Sequence, residues 1–481
     1  KGSALLPIPK SRLFRYHHYI MLPSNFRTSP ALALLASAIC LLQQTSSAWP
    51  LSSFVAPTKA ASIHSIPLKK QYVPVSKDGK VVAYKTAYFG QVHVGGPEPQ
   101  AFTVVFDTGS GHLILPSSGC FSAACVKHRR YNRTASHTAV DIEYDGTRLP
   151  PDATERDQVA IAFGTGEVQG EFVSEDVCLT SATAEEGIAK TQGCVNLRVV
   201  VASKMTEDPF SHFDFDGVLG LGLESLALSP EFSFFGQMLA QNPGMQPRFS
   251  VFLAQNEGVD SIISFGGHEE QFAGSDIQWA PVAMSELGYW QVELKSVRVG
   301  KEVLPECEDG SCRAILDTGT SLLGVPRQAV RAMHRMLARP VAEDMSQQAG
   351  IDCRRLPGAQ LEFQLSDAVV SLLPEDYSRP SPFNMTIPNQ DKWRLFCRSL
   401  LLPVDMAAPL GPKVFIWGEP MLRRYYTVYD LANRRIGFSL AKQPAGKASS
   451  PQSLGVPPAG SLLSGAPLPG AQSAEAQVVV G

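Results

Sequence analysis

Two short segments of the chain carry the same carboxylate-bearing motif. Asp107 lies in the Asp-Thr-Gly of "VVFDTGSGHLILPS" (104–117), and Asp317 lies in that of "AILDTGTSLLGVP" (314–326). In both copies an apolar run precedes the tripeptide, and a second apolar run ending in proline follows it. A single carboxylate at a strand end is usually a turn or cap residue. Two copies 210 residues apart (317 − 107), with matched flanks, instead indicate an internal duplication that produces two related lobes.

Paired carboxylates of this kind can perform acid–base chemistry. If two aspartates meet across an interface they cannot both ionise easily, because like charges a few ångströms apart raise one pKa strongly. One carboxyl then stays protonated as a general acid, while the other acts as a general base. Such a pair can activate a water molecule directly, without a covalent intermediate or a metal. Gly109 and Gly319 allow sharp turns beside the aspartates, and Thr108 and Thr318 supply hydroxyls that can hold the backbone.

The rest of the chain predicts the elements that must position this pair. Each half has a later glycine after an apolar run, Gly220 in "GVLGLG" and Gly418 in "VFIWGE". Gly220 follows Asp107 by 113 residues (220 − 107), and Gly418 follows Asp317 by 101 residues (418 − 317). Short Val/Ile/Phe-rich stretches recur from "KVVAYKTAYFGQVHVG" (80–95) up to Leu440, with turn residues about every ten positions. This spacing is typical of an all-β protein. The clearest helical period covers 327–337.

Composition and charge argue against several functional classes. The 481 residues are 44% hydrophobic and 18% charged, which is ordinary for a globular protein and ample for a large core. The net charge of −3, from 42 basic and 45 acidic residues, gives no reason to expect nucleic acid or an anionic membrane as a partner. No P-loop, Rossmann glycine fingerprint or His-Glu-x-x-His motif occurs, and the ten His residues show no metal-ligand spacing. We therefore expect no cofactor, no metal and no nucleic acid.

The N-terminal region has the features of a targeting segment. After Met21 come a basic residue, an apolar run over 31–42 and a small-residue cleavage site near Ala48, which together predict a secretory signal peptide. The run is too short to span a bilayer comfortably, which favours a signal peptide over a transmembrane anchor. We assign 1–48 to upstream residues plus signal peptide, and 49–75 to a leader or short pro-segment.

Cysteine usage agrees with a secretory route. Cys40 lies in the predicted signal peptide, and the even number of remaining cysteines favours disulfides over free thiols. The spacings suggest local loops for 120/125 and 307/312, and a hairpin clasp for 178/194. Asn132 and Asn384 begin sequons that are glycosylation acceptors in such a compartment. The cysteines expected in disulfides are Cys120, Cys125, Cys178, Cys194, Cys307, Cys312, Cys353 and Cys397.

Taken together, the motifs resemble those of the pepsin-like aspartic proteases. The resemblance covers 75–441 and rests on "FDTGSGHLILPS", "FGTGEVQGEF", "FDGVLGLG", "GYWQ", "AILDTGTSLLGVP" and "YYTVYDLANRRIGF". It implies an all-β, bilobal fold in which two pseudo-twofold related β lobes, here 76–278 and 279–442, enclose a substrate cleft. The Ala/Gly/Pro/Ser-rich tail at 443–481 is expected to be disordered.

The resemblance also implies the chemistry and the site. It implies peptide-bond hydrolysis by a water held between Asp107 and Asp317, acting on extended protein or peptide substrates with apolar residues at the cleavage site. It implies the disulfides 120–125, 307–312 and 353–397, whereas a 178–194 pair is not part of the usual family set. The positions it assigns to substrate binding are Gly109, Ser110, Phe163, Gly164, Thr165, Tyr289, Gly319 and Thr320.

Two alternatives concern activity and processing. Inactive relatives on this fold commonly lose one Asp or the adjacent Gly, and both motifs are intact here, which favours an active endopeptidase over a catalytically silent peptide-binding protein. We expect a monomer in the secretory pathway, either secreted or in a lysosome- or vacuole-like compartment. The segment "IPLKKQYVPV" (66–75) resembles only the beginning or remnant of the pro-segment that covers the dyad in zymogens of this family, so a pro-segment removed by cleavage would be short here.

The flap hairpin departs from the family pattern. Phe163 stands where Tyr is usual and Ile114 where Trp is usual, and in the family these two side chains hydrogen-bond to each other. Losing both polar partners together leaves no buried donor or acceptor unpaired. We expect Phe163 to pack on Ile114 by apolar contact, giving a flap that opens more freely above an apolar S1 pocket; drift in a dispensable hairpin is the alternative. His112 replaces the usual Asn and is interpreted as a satisfied turn residue; a titrating histidine that alters the pH response is the alternative. Glu419-Pro420 replaces an Asp-containing turn that is common in the family and is interpreted as a change of loop detail only.

Overall fold

The computed structural model describes most of the chain after the predicted signal peptide. The described ranges are 63–77, 80–164, 166–179, 193–256, 258–342, 350–386, 393–444 and 475–479. All of them belong to one compact unit that begins at Ala61. The predicted signal peptide and the first part of the leader lie outside the described residues. Within these ranges no helix combines the length and the apolar character needed to cross a bilayer.

The strands of the first half of the chain form most of one large sheet. These strands are β1 (His64–Lys77), β2 (Lys80–Val94), β3 (Gln100–Asp107), β4 (Leu113–Pro116), β5 (Val140–Ile142), β6 (Gln158–Phe163), β7 (Gly166–Cys178), β8 (Cys194–Met205), β9 (Gly217–Gly220), β10 (Arg248–Phe252), β11 (Ser261–Phe265) and β12 (Gln278–Pro281).

The strands of the second half are mostly shorter; most of them form smaller sheets, and the last three of the chain join the large sheet. They are β13 (Gln291–Leu294), β14 (Ser296–Val299), β15 (Glu302–Val303), β16 (Cys312–Leu316), β17 (Leu323–Pro326), β18 (Arg339–Pro340), β19 (Leu361–Gln364), β20 (Val369–Leu372), β21 (Phe383–Thr386), β22 (Trp393–Cys397), β23 (Leu401–Val404), β24 (Val414–Trp417), β25 (Tyr425–Asp430), β26 (Arg435–Leu440) and β27 (Glu475–Val479). Short α-helices lie between the strands of both halves: α1 (Ala123–Lys127), α2 (Phe234–Gln241), α3 (Arg327–Leu337), α4 (Pro374–Tyr377) and α5 (Glu419–Arg424).

The sheet order joins the two ends of the chain. In the described part of the chain, the large sheet runs β12-β26-β25-β10-β11-β1-β2-β3-β9-β4-β8-β7-β6-β27, with β5 attached to β7. The others run β13-β16-β24-β17-β23, β15-β14-β19-β20 and β18-β22-β21. The all-β prediction is therefore confirmed, and so is the helix over 327–337, which is α3. The return of β25 and β26 to the large sheet is a feature that no local sequence pattern signals.

The two halves repeat one arrangement of three paired strands, a β frame that consists of β3, β4 and β9 in the first half and of β16, β17 and β24 in the second. Strand β9 pairs parallel with β3 and antiparallel with β4, placing Gly220 opposite Asp107. Strand β24 pairs parallel with β16 and antiparallel with β17, with Leu316 opposite Trp417. Asp317 and Gly418 follow directly, so the glycine expected in each half lies beside its aspartate. The duplication inferred from the sequence is thus a duplication of structure.

Alternation along the strands distributes apolar side chains between separate cores. In β3, Val104 and Phe106 belong to the largest apolar cluster, while the intervening Val105 faces a second cluster that contains Ile114. This period of two is the geometry of a strand buried on both faces. The strand ending at Asp107 is therefore held from both sides, which fixes the direction in which its terminal carboxylate points.

Two expectations about the ends of the chain need correction. The β pattern recognisable in the sequence starts at 80, yet β1 already begins at His64: its first part pairs with β11 and its second part with β2. Ile66 and Leu68 are 5% exposed, so this part of the leader belongs to the core. The tail at 443–481 is also not wholly irregular, because Glu475–Val479 forms β27 and pairs antiparallel with β6. Backbone pairing with an open sheet edge suffices for such a strand.

The structure contains the disulfides expected from the sequence. Three of them are the pairs that the resemblance implies, 120–125, 307–312 and 353–397. The fourth joins Cys178 to Cys194, which lie directly opposite each other where β7 and β8 begin to pair. The hairpin clasp predicted for this pair is confirmed.

Candidate active site

The two aspartates lie at equivalent ends of the repeated frame. Asp107 is the last residue of β3, and Asp317 follows the last residue of β16. The N–H of Leu221 donates to the carbonyl oxygen of Asp107 at 2.7 Å, and the N–H of Asp317 donates to the carbonyl of Trp417 at 3.2 Å. Each Asp-Thr-Gly loop is thus tied to the strand that carries the later glycine of its own half.

Reciprocal hydrogen bonds between two threonines tie the loops together. The N–H of Thr108 donates to Thr318 Oγ1 at 3.0 Å, and the N–H of Thr318 donates to Thr108 Oγ1 at 3.1 Å. The hydroxyls continue across the interface, since Thr108 Oγ1 donates to the carbonyl of Leu316 at 2.7 Å and Thr318 Oγ1 to that of Phe106 at 2.5 Å. The sequence predicts that these hydroxyls hold the backbone, but not that each holds the other half.

The glycines of the two motifs leave room only for the opposite carboxyl group. A Cβ at Gly109 would lie 3.0 Å from the Cγ of Asp317, and one at Gly319 would lie 2.6 Å from Oδ1 of Asp107. Both distances are far shorter than ordinary van der Waals contact between such atoms. Gly109 and Gly319 therefore permit the approach of the two carboxyls. The substrate-binding role expected for them stays a prediction.

Hydrogen bonds orient each carboxyl group. The N–H of Gly109 donates to Asp107 Oδ1 at 2.9 Å, and the N–H of Gly319 donates to Asp317 Oδ1 at 2.8 Å. Thr320 Oγ1 adds a third donor at 2.6 Å from Asp317 Oδ2. Its counterpart Ser110 is 2% exposed, and its hydroxyl has no hydrogen-bond partner among the described residues. The carboxyl of Asp317 therefore accepts a hydrogen bond from the hydroxyl of Thr320, whereas the equivalent hydroxyl of Ser110 does not donate to Asp107.

The electrostatics of the pair separate an acid from a base. Burial disfavours the charged form of Asp317 and, together with the negative charge of Asp107, raises its pKa above the ordinary value. The donors Thr320 and Gly319 oppose this shift by stabilising the carboxylate. Because the raising effects prevail, Asp317 keeps a proton under conditions where an isolated aspartate is ionised. The arrangement can therefore supply a general acid and a general base side by side.

A hairpin of β6 and β7 carries the predicted flap residues. Phe163 pairs with Gly166 at its tip, and Gly164 has φ +47°, a left-handed conformation that favours glycine. Thr165, also predicted to bind substrate, lies outside the described residues. Phe163 and Ile114 contribute to the same apolar cluster, but the ring contact of Phe163 is with Phe210, edge-to-face at 5.8 Å between centroids. Packing of Phe163 directly on Ile114 stays a prediction.

Other positions singled out in the sequence have buried surroundings. Tyr289 is 6% exposed and belongs to an apolar cluster with Ile416 and Leu410, so its proposed role at a subsite stays a prediction. His112 is 3% exposed, and its Nε2 accepts the N–H of Leu228 at 3.0 Å. The interpretation of His112 as a satisfied turn residue is confirmed. Burial lowers its pKa to about 4.

Sequence reasoning missed an ionic cluster at Glu419. The interpretation of Glu419 as a loop detail is wrong, because Glu419 begins α5 and is buried. Its carboxylate accepts a hydrogen bond from the hydroxyl of Tyr88 at 2.8 Å and lies 3.1 Å from the Nζ of Lys70. Arg423 lies one helical turn on, 3.6 Å away. These positive charges hold the pKa of Glu419 below its usual range despite burial. The Glu419 side chain thus reaches the leader strand β1, a contact that no local sequence pattern signals.

Pairs that join distant segments were also missed. Ser321, four residues after Asp317, accepts the N–H of Thr86 at 2.9 Å and donates to its carbonyl at 2.7 Å.

Within the described ranges, no group of three or more His, Cys, Asp or Glu side chains could hold a metal ion.

Two Asp-Thr-Gly loops, clamped together at the ends of duplicated β frames, define an aspartic protease of the pepsin type. The chain belongs to the eukaryotic aspartyl protease family, whose model matches residues 87–441. It is 30% identical over 357 residues to cathepsin E of Mus musculus, covering 74% of this chain and 80% of that protein. It is 31% identical over 353 residues to pepsin A of Suncus murinus, covering 73% and 80%. It is 30% identical over 360 residues to human (Homo sapiens) gastricsin, covering 74% and 81%. The protein is an aspartic endopeptidase with the bilobal all-β fold, acting on proteins or peptides.

Proposed function

We propose that the protein cleaves extended peptides, with apolar residues at the scissile bond, by a water molecule activated between Asp107 and Asp317. The observation that carries this proposal is the mutual clamp of Thr108 and Thr318, which holds both carboxyl groups at one place. Groups held in this way need little reorganisation during the reaction, which is a large part of catalytic efficiency.

The raised pKa of Asp317 supports the following order of proton transfers. Asp107, as carboxylate, takes a proton from the water, whose oxygen forms a bond to the peptide carbonyl carbon. Asp317 gives its proton to the carbonyl oxygen, so the tetrahedral intermediate is a neutral diol. Asp107 then protonates the leaving nitrogen, the C–N bond breaks, and Asp317 recovers its proton from the diol. Each carboxyl returns to its starting state, so the cycle consumes only water and the peptide.

The flap supports the proposed substrate preference. The tip around Gly164 offers backbone groups to an extended chain, in the manner of an added β-strand. Phe163 and Ile114 bring apolar surface to the same cluster, in place of a polar pair. An apolar side chain of the substrate gains most from such surroundings, because it leaves water without orphaning a polar group.

We further propose a monomer that passes through the secretory pathway, with lobes at 76–278 and 279–442. Four disulfides suit an oxidising compartment. Asn132 and Asn384 are both exposed, so an oligosaccharide transferase could reach either sequon. A mass decrease after enzymatic deglycosylation of the secreted protein supports this route. Protein retained in the cytosol with reduced cysteines contradicts it.

Cleavage of an unfolded protein substrate across the acid-to-neutral range tests the chemistry. Asp107→Asn and Asp317→Asn should each lower kcat by on the order of 10³-fold, because each removes one partner of the proton transfers. Asp367→Asn is a matched control, since Asp367 is exposed in a turn between β19 and β20. Activity that survives Asp317→Asn while the fold is intact would show that the dyad is not the catalytic centre.

A further inference from the structure

Two arginines in the second half of the chain lie directly opposite each other. Ser378 and Ser399 form an antiparallel bridge, and next to it the N–H of Arg379 donates to the carbonyl of Arg398 at 2.9 Å. Residues opposite each other in such a pair have Cβ atoms about 4.5–5.5 Å apart, and their side chains share one face. Like charges in this arrangement are destabilising. Arginine cannot relieve the repulsion by losing its proton.

The part of the chain that the structure describes offers no carboxylate partner to either of these guanidinium groups. Within the described ranges no ion pair involves Arg379 or Arg398. The Nε of Arg379 is buried and has no hydrogen-bond partner there. The nearby Arg339 donates from Nη2 to the carbonyls of Cys353 and Leu356 and to Ser378 Oγ, although its Nε and Nη1 have no partner among the described residues. Among the described residues, the Nε of Arg379 is therefore a buried donor that an anion could satisfy.

A histidine completes the cluster from the neighbouring helix. His334 of α3 lies with Nδ1 2.9 Å from Ser399 Oγ, next to the arginine pair. Burial, and then the positive charges of Arg398 and Arg379, lower its pKa to about 4. The imidazole is therefore neutral at neutral pH and feels both guanidinium charges. An anion at the pair would remove part of that repulsion.

We propose that Arg379, Arg398 and His334 form a binding site for a tetrahedral oxyanion, phosphate or sulfate. Planar guanidinium groups bind such oxygens through paired N–H donors, which a spherical chloride cannot match. A dianion also offsets two charges that the fold places side by side. The elements involved are α3 and the segments next to β22 and α4, none of which contains Asp107 or Asp317.

The same oxyanion can arrive free or as a monoester on a larger molecule. Inorganic sulfate and glucose 6-phosphate serve as probes for these two sources. The purified full chain is titrated with each at pH 7, with sodium chloride added to keep the ionic strength constant, and Tm is measured. The wild-type protein should show a saturable rise of about 2 °C or more with at least one probe, because a ligand that binds only the folded state stabilises it. Saturation with glucose 6-phosphate alone identifies the monoester as the source.

Variants separate this site from general salt effects. Arg379→Gln and Arg398→Gln should abolish the saturable response, and Arg398→Lys should weaken it while keeping the charge. Arg331→Gln is the matched control, because Arg331 is an exposed arginine on α3. A rise that is unsaturable and equal in all variants is the ordinary effect of sulfate on protein hydration and overturns the proposal. So does a response that Arg331→Gln reduces as strongly as Arg379→Gln.

A second measurement does not depend on the variants folding. In the wild-type protein, the titration of His334 is followed by NMR with and without saturating sulfate. Its pKa should rise when the anion is bound, since the anion offsets the charges of Arg379 and Arg398. An unchanged titration of His334 in the presence of the anion contradicts the site.

Discussion

Thr108 and Thr318 each accept the backbone N–H of the other, at 3.0 and 3.1 Å. Their hydroxyls donate onward to carbonyl groups of the opposite half, at Leu316 and Phe106. The two motif loops cannot separate without breaking all four of these hydrogen bonds. The distance between the carboxyls of Asp107 and Asp317 is therefore set by their neighbours, which lets two mutually repelling groups remain together.

Replacing one threonine should loosen this clamp. Thr318→Val keeps the side-chain shape but leaves the N–H of Thr108 and the carbonyl of Phe106 without a partner. We expect the free energy of unfolding to fall by about 1–3 kcal/mol and kcat to fall with it. Denaturant unfolding and peptide cleavage measure the two effects. Thr147→Val, in an exposed turn, should change stability by less than about 0.5 kcal/mol. Unchanged kcat in Thr318→Val would mean that the clamp does not position the dyad.

A methyl group at the motif glycine should block the site. Gly319→Ala would place a Cβ 2.6 Å from Asp107 Oδ1, so the carboxyl has to move. We expect kcat/KM to fall on the order of 10²-fold, because small misplacements of reacting groups have effects of this size. Gly244→Ala is the control, since a Cβ there has no neighbour within 4 Å. Equal activity of the two variants would contradict the close approach of the carboxyls.

His112 should make the protein sensitive to acid. Its folded-state pKa of about 4 is below the ordinary value of 6.5, so the unfolded chain binds the proton more readily. The stability that neutral His112 provides is complete above pH 6.5 and decreases as the pH falls toward 4, a loss of about 3 kcal/mol from this group.

The measurement compares the free energy of unfolding at pH 7 and pH 4. His112→Asn, which does not titrate, should lose about 3 kcal/mol less than the wild-type protein over this range. His137→Asn is the control because His137 is an exposed histidine. An equal pH dependence for His112→Asn and wild type would show that His112 does not remain neutral in the folded protein.

The flap should tolerate a hydroxyl without benefiting from it. Phe163→Tyr adds a hydroxyl to a side chain in the same apolar cluster as Ile114, which stands where the family usually has Trp. We expect kcat/KM to change by less than about 3-fold, since the new hydroxyl gains no net hydrogen bond over water. Phe163→Ala, which loses the contact with Phe210, should raise KM. A sharp increase in activity for Phe163→Tyr would refute the idea of a compensated apolar pair.

Local patterns in the sequence predicted the site well and the connections poorly. The two Asp-Thr-Gly motifs, their later glycines and α3 were all visible, because each depends on residues within a short segment. The ion cluster of Glu419 with Lys70 was invisible, since its members are 349 residues apart (419 − 70). The early start of β1 was missed because this strand is defined by its pairing with β11 and β2. Its own residues do not show the alternation of apolar and polar side chains that marks a strand in the sequence.

The sequence by itself determined that this chain carries two equivalent acid groups on duplicated β frames, because residue types and strand periodicity are local properties. Only the tertiary structure decided how the two are joined. The exchange of hydrogen bonds between Thr108 and Thr318, and the opposition of Arg379 and Arg398, depend on pairing between distant segments. Such pairing follows from the packing of the whole core, so no short segment encodes it.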